Sequence, residues 1–116
     1  MFRVIVAGSR DFDDYKLLKS KLDFYLKNKK DIVIMSGTAR GADKLGEQYA
    51  KEKGYQLLKF PADWNTYGKR AGYIRNKEML KNADAVICFW DGISKGTEHM
   101  IEITRKINKP LRVVKY

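Results

Sequence analysis

Apolar residues along the chain fall into two alternating kinds of run. "FRVIVAG" (2–8) and "DIVIMSG" (31–37) are near-continuous apolar stretches ending in glycine, the pattern of parallel strands buried on both faces. "DAVICFWD" (84–91) repeats that pattern, "YQLLKF" (55–60) is a shorter candidate, and "LRVVKY" after Pro110 reads as an edge strand. Between these runs the spacing is helical. From Asp13 to Asn28 the apolar set is Tyr15, Leu18, Leu22, Tyr25 and Leu26. Ala42, Leu45, Gly46, Tyr49 and Ala50 form the stripe of a second helix. "IRNKEMLKNA" (74–83) and "TEHMIEITRKIN" (97–108) supply two more, the last with Met100, Ile103, Thr104 and Ile107 on one side. Gly54, and Asn108 ahead of Pro110, punctuate helix ends.

The alternation βαβαβαβαβ predicts an α/β fold, a Rossmann-like doubly wound parallel sheet of about five strands. Right-handed crossovers give the order 3-2-1-4-5 with helices on both faces. A length of 116 residues favours a single domain over 1–116. The one long irregular stretch is "PADWNTYGKRAGY" (61–73), and a loop of that length in so small a domain is usually functional.

In such a sheet, ligands bind beyond the carboxyl ends of the strands, where strand order reverses. Three glycine-containing turns should converge there. They are Gly8-Ser9-Arg10 after strand one, Ser36-Gly37-Thr38-Ala39-Arg40-Gly41-Ala42-Asp43 after strand two, and Asp91-Gly92 through Gly96-Thr97 after strand four. Helix N-termini offer N–H groups to a phosphate, and glycine lets the backbone come close. Ser9, Ser36 and Thr97 add hydroxyls, and Arg10, Arg40 and Lys95 add charge. Neither G-x-x-x-x-G-K-[ST] nor G-x-G-x-x-G is present. Taken singly, each turn is an ordinary connector; the expectation of a site rests on all three meeting.

The net charge of +10 raises the prior for a phosphorylated ligand or a polyanion. Much of the excess, though, is lysine on solvated helix faces such as Lys16, Lys19, Lys21 and Lys27. No apolar run approaches the roughly 20 residues that cross a bilayer, and no secretory signal pattern stands at the start; the expected location is cytoplasmic, with no membrane partner. The single cysteine, Cys88, lies inside "AVICFW" and reads as a buried core thiol. With one histidine, His99, and one cysteine, no metal-ligand spacing exists, so no metal site is expected and no cofactor is required.

"VAGSRDFDD", "SGTARGAD", "FPADWNTYGKRAGYIRN" and "ADAVICFWDGISKGTEHMI" together resemble the YspA-like, cpYpsA-related branch of the SLOG superfamily, over nearly the whole chain. That superfamily also holds the Lonely Guy phosphoribohydrolases and the Smf DNA-processing proteins. The resemblance implies a Rossmann-like domain that binds nucleotides or nucleotide-derived ligands, and the wider superfamily implies a homodimer. It places Gly8, Ser9, the Ser36–Asp43 loop, Gly96 and Thr97 on the ligand's phosphate and sugar. One departure stands out: the branch usually has glycine where this chain has Thr38, which threonine would strain if that position needs φ > 0.

The Lonely Guy enzymes release a base from a nucleoside monophosphate with an arginine and a glutamate. Their arginine matches Arg75 in "RNKEM". Their glutamate falls where this chain has Met100, while Glu98 sits on another helical face, since each residue turns about 100°. Asp43, Asp91 or Glu98 would have to act from elsewhere. Trp64, Tyr67 and Tyr73 alternate with Lys69, Arg70 and Arg75. They either stack a base beside its phosphate or cap the core. Asn76 reads as a helix cap or a ligand contact, two compatible roles. The leading expectation is a nucleotide-ligand binding domain of the ADP-ribose, NAD or nucleoside phosphate type, acting as sensor, carrier or sequestering protein. The alternatives are a phosphoribohydrolase-like enzyme using Arg75 and Glu98, and a module binding single-stranded nucleic acid.

Overall fold

The computed structural model describes every residue from Met1 to Tyr116. Five strands, β1 (Phe2–Gly8), β2 (Ile32–Ser36), β3 (Gln56–Lys59), β4 (Ala85–Trp90) and β5 (Leu111–Lys115), form one sheet in the order β3-β2-β1-β4-β5. Every pairing is parallel, with Val4 opposite Ala85 and Ile34 on its two sides. The helices are α1 (Tyr15–Leu26), α2 (Ala42–Lys53), α3 (Trp64–Tyr67), α4 (Ala71–Asn82) and α5 (Lys95–Lys106). This is the doubly wound arrangement that the alternating pattern predicts.

Strands buried on both faces explain the unbroken apolar runs. Val4, Val6, Ile34, Ile87 and Phe89 point to one face and pack with Leu18 and Leu22 of α1 and Tyr49 of α2. Ile5, Met35, Val86 and Cys88 point to the other, against Met79 and Leu80 of α4 and Met100 and Ile101 of α5. Side chains alternate along each strand, so one apolar segment serves two cores. Cys88 is fully buried, and burial pushes its thiol up to about 12, in keeping with an inert core thiol. No helix is long and apolar enough to cross a membrane.

The segment 61–73 departs from the irregular loop the sequence predicts. Asp63 caps α3, its carboxylate accepting the Thr66 N–H at 3.1 Å. A 3₁₀ turn (Gly68–Arg70) leads directly into α4, which begins three residues before "IRNKEMLKNA". Within 61–73 only Ala71 is buried, so this stretch carries no core stripe, whereas Met79 and Leu80 further along α4 do reach the core. The turns of 64–73 therefore left no apolar period to read.

Candidate functional site

At the carboxyl edge of the sheet, where order reverses between β1 and β4, lies a cleft of about 360 Å³, here called the inner lobe. Gly8 ends β1 at its floor, Gly37, Ala39 and Asp43 border it from β2 and α2, and Ser94, Gly96, Thr97 and Met100 close it from α5. The opposite wall is one helical face: Lys69, Gly72, Tyr73, Asn76 and Met79 recur at the spacing of a helix. A second lobe of about 490 Å³ opens beside it between the β2–α2 loop and Pro61–Ala62. Arg10, Gly37, Ala39, Trp64 and Arg75 line both.

Arg75 is the best anchored side chain of the cleft. Its Nη1 donates to the carbonyl oxygens of Gly37 and, at 3.4 Å, of Phe60, and its Nε donates to Asn76 Oδ1 at 3.1 Å. That leaves Nη2 without a protein acceptor and no carboxylate within ion-pair distance. Burial lowers the guanidinium pKa, and the nearby Asp43 charge works in the other direction. Asn76, itself buried, ties α4 to α5: its Nδ2 donates to the Gly96 carbonyl at 3.2 Å and meets His99 Nδ1 at 3.2 Å. That contact needs a neutral imidazole, and burial, with Lys77 nearby, lowers the His99 pKa accordingly. Tyr73 rests its ring on His99 at 4.5 Å between centroids.

Asp43 is the one carboxylate lining the inner lobe. Its Oδ2 accepts the Ala39 N–H at 3.1 Å. Burial outweighs that bond and the Arg75 charge and raises its pKa to about 6. Arg75 and Asp43 meet at Gly37, where a Cβ would fall 2.8 Å from the guanidinium carbon and 2.9 Å from Asp43 Oδ2. A side chain there would have to displace the Arg75 guanidinium or the Asp43 carboxylate. At Gly8 the obstacle is backbone: a Cβ would run into the Phe89 carbonyl oxygen and lie 2.7 Å from the Ala42 Cβ. Around Gly96, which lines the lobe, nothing stands within 4 Å of where a side chain would begin.

The three turns meet, but they do not offer equal donors. After β1, the Ser9 N–H donates to the Phe89 carbonyl at 2.9 Å, and the Ser9 hydroxyl accepts the Asp91 N–H at 3.1 Å. After β2, Thr38 N–H donates to Ser36 Oγ at 3.0 Å and Ala42 N–H to the Ser9 carbonyl at 3.3 Å. The Ser36 hydroxyl donates to Glu47 at 2.7 Å. Ser9 and Ser36 thus serve the fold, against the expectation that their hydroxyls face a ligand. The end of α5 is open at the lobe: its N-cap Ser94, like Gly41 before α2, makes no side-chain cap bond, and the first-turn N–H groups of a helix have no intrahelical acceptor.

Of the residues singled out from sequence, Gly8, Arg10, Gly37, Asp43, Trp64, Arg75, Asn76, Gly96 and Thr97 line the inner lobe, and Thr38 and Arg40 line the outer one. Gly41, Ala42, Asp91, Gly92 and Glu98 line neither. Asp91 closes its own turn, accepting the N–H groups of Ile93 and Ser94 at 2.8 Å each, which holds its pKa below the usual carboxylate range. Glu98 points outward beside Lys95, 3.9 Å away, because its helical position faces away from the cleft. Met100 instead presents to the lobe. Lys69 and Tyr73, expected from the alternation of aromatic and cationic residues, also line the inner lobe. Gly72 and Met79 line it without having been singled out, and their signal was helical spacing with Asn76, part of it hidden by reading 61–73 as a loop. Thr38 holds φ at 66°, the left-handed region that its departure from glycine put in question.

Residues 2–67 match the model of the YspA, cpYpsA-related SLOG family. Over 118 positions the chain is 33% identical to the Gene 61 protein of Mycobacterium phage D29, covering 96% of this chain and 94% of that protein. The chain belongs to the YspA, cpYpsA-related SLOG family. Among solved structures this SLOG chain is similar to DNA processing protein A from Streptococcus pneumoniae, with a TM-score of 0.76 and 17% identity over 97% of this chain. It is also similar to DNA processing protein A from Helicobacter pylori, described for its single-stranded DNA binding mode, with a TM-score of 0.70, 23% identity and the same coverage. At these identities the likeness is one of fold. The chain spans 49% of the first protein and 64% of the second.

Proposed function

We propose that this SLOG domain binds a nucleotide-derived ligand, of the nucleoside phosphate, ADP-ribose or NAD type, in the inner lobe. It would serve in the cytoplasm as a sensor, carrier or sequestering protein. The observation that carries this reading is the joint lining of one cleft by the open first turn of α5, the tethered Arg75 and the aromatic rings of Trp64 and Tyr73. The α5 amides and Arg75 Nη2 suit a phosphate, which the positive helix end also favours. Asp43 suits ribose hydroxyls as an acceptor, and it keeps a phosphate toward the α5 side of the cleft. Trp64 and Tyr73 offer faces to a base.

Binding ranks ahead of glycosidic cleavage because Met100 fronts the lobe where the Lonely Guy enzymes carry glutamate, and Glu98 lies outside it. A thermal-shift panel of AMP, ADP-ribose and NAD tests the reading. A ligand present at about a hundred times its Kd adds roughly 2.7 kcal/mol of stability; a flat response across the panel overturns it. Chromatography of the same mixtures for free base tests turnover.

A second reading has its own support. The fold likeness to the Helicobacter pylori protein, described with single-stranded DNA, and the net charge of +10 favour a strand threaded through the same cleft. That reading requires binding that weakens steeply as salt rises.

A further inference from the structure

The outer lobe is the more electropositive part of the cleft. Arg10, Arg40 and Arg75 line it, and no acidic residue does. None of the three has a carboxylate within ion-pair distance anywhere in the chain. Asp43 acts on Arg75 and Arg10 only from beyond ion-pair distance, so the three guanidinium groups around this concavity still repel one another, and an anion seated among them converts that repulsion into charge-assisted hydrogen bonds. The inner lobe is built otherwise, with Asp43 on its wall and one open helix end. Each lobe, at about 360 and 490 Å³, is by itself of small-ligand size. The lobes are continuous, since Trp64 and Arg75 line both, and the indole, half exposed, stands over Gly72 with its edge 3.6 Å from where a side chain there would begin.

We propose that the outer lobe holds a second phosphate-bearing nucleotide unit, so that the ligand of this chain is two units long and crosses the Trp64 ridge. This rests on the nucleotide reading of the inner lobe. A mononucleotide in the inner lobe reaches Arg10 and Arg75, which line both lobes, and leaves Arg40, which lines the outer lobe alone, without an anionic partner. Two sources share the required chemistry: a free dinucleotide, or two successive residues of a single strand.

Calorimetry on the full chain, at one fixed salt concentration, compares AMP with NAD, the phosphorylated dinucleotide pdApdA and a ten-residue oligodeoxyadenylate. At least one two-unit ligand is expected to bind tenfold or more tighter than AMP, roughly what one added charge-assisted bond supplies. Arg40→Gln, at an exposed position whose fold is checked by circular dichroism, is expected to lower the two-unit affinity about tenfold and to shrink its advantage over AMP. AMP binding as tightly as NAD and pdApdA overturns the proposal while the nucleotide reading stands. So does an Arg40→Gln loss equal for AMP and the two-unit ligands. If AMP, NAD and pdApdA all fail to bind, both readings fall. Among supporting results, a further gain with the ten-mer and a steep salt slope assign the two units to a strand, and no further gain assigns them to a free dinucleotide.

Discussion

Thr38 shows what single residues of this cleft cost the fold. A β-branched side chain at φ 66° is strained by about 1–3 kcal/mol, and such strain collects where a loop is held for use. Thr38→Gly is therefore expected to stabilise the chain by about 1 kcal/mol in urea unfolding, with the greater freedom of glycine in the unfolded state offsetting part of the gain. Asp43 carries a second cost, this one set by pH. Its carboxyl titrates near 6 in the folded chain, against about 3.9 when unfolded. The folded state thus holds the proton longer. Stability is fullest below about pH 4, declines as pH rises to about 6, and levels off above, a loss on the order of 3 kcal/mol. Asp43→Asn keeps an acceptor for the Ala39 N–H and removes that decline. Urea unfolding of both proteins from pH 4 to 7.5 should show the variant ahead at pH 7.5 and the gap closing toward pH 4. The slope due to His99 is common to both and cancels.

At the scale of elements, α5 and α4 decide the site. Gly96 has open space where a side chain would go, so Gly96→Ala should leave unfolding stability unchanged or raise it by up to about 1 kcal/mol. Gly96 lines the inner lobe, so the same methyl takes room from a bound ligand, and nucleotide affinity should drop on the order of tenfold in calorimetry. Gly37→Ala should instead destabilise the fold, because Arg75 already occupies the space. The turns after β1, β2 and β4 were legible in sequence because strand ends and glycine carry a local signal. Which amides those turns leave free was not legible. Ser9 and Ser36 look like donors to a ligand in the sequence, and only the meeting of residues 9 with 91 and 36 with 47 turns them inward. Most of helix α4 was legible as "IRNKEMLKNA"; its first turn and the 3₁₀ turn before it were not, because residues there such as Lys69, Gly72 and Tyr73 border a cleft, and a cleft imposes no apolar period.

Across the whole molecule, strand order follows from alternation and handedness, and the sheet places its functional edge without regard to any one loop. The +10 charge acts at this scale too, raising the encounter rate with any anion and favouring strands and free nucleotides alike. Salt separates them: a bound strand should lose affinity by orders of magnitude between about 50 and 200 mM salt, and a mononucleotide in the inner lobe far less. The most direct test of the cleft itself is an NMR titration of the labelled chain with AMP and NAD, following backbone amides and the two indole N–H groups. Shifts concentrated at Gly96, Thr97, Asn76 and the Trp64 indole are expected. Unmoved resonances at ligand concentrations of about 1 mM, where even weak binding of about −4 kcal/mol is visible, or shifts gathered on α1 instead, would contradict the account.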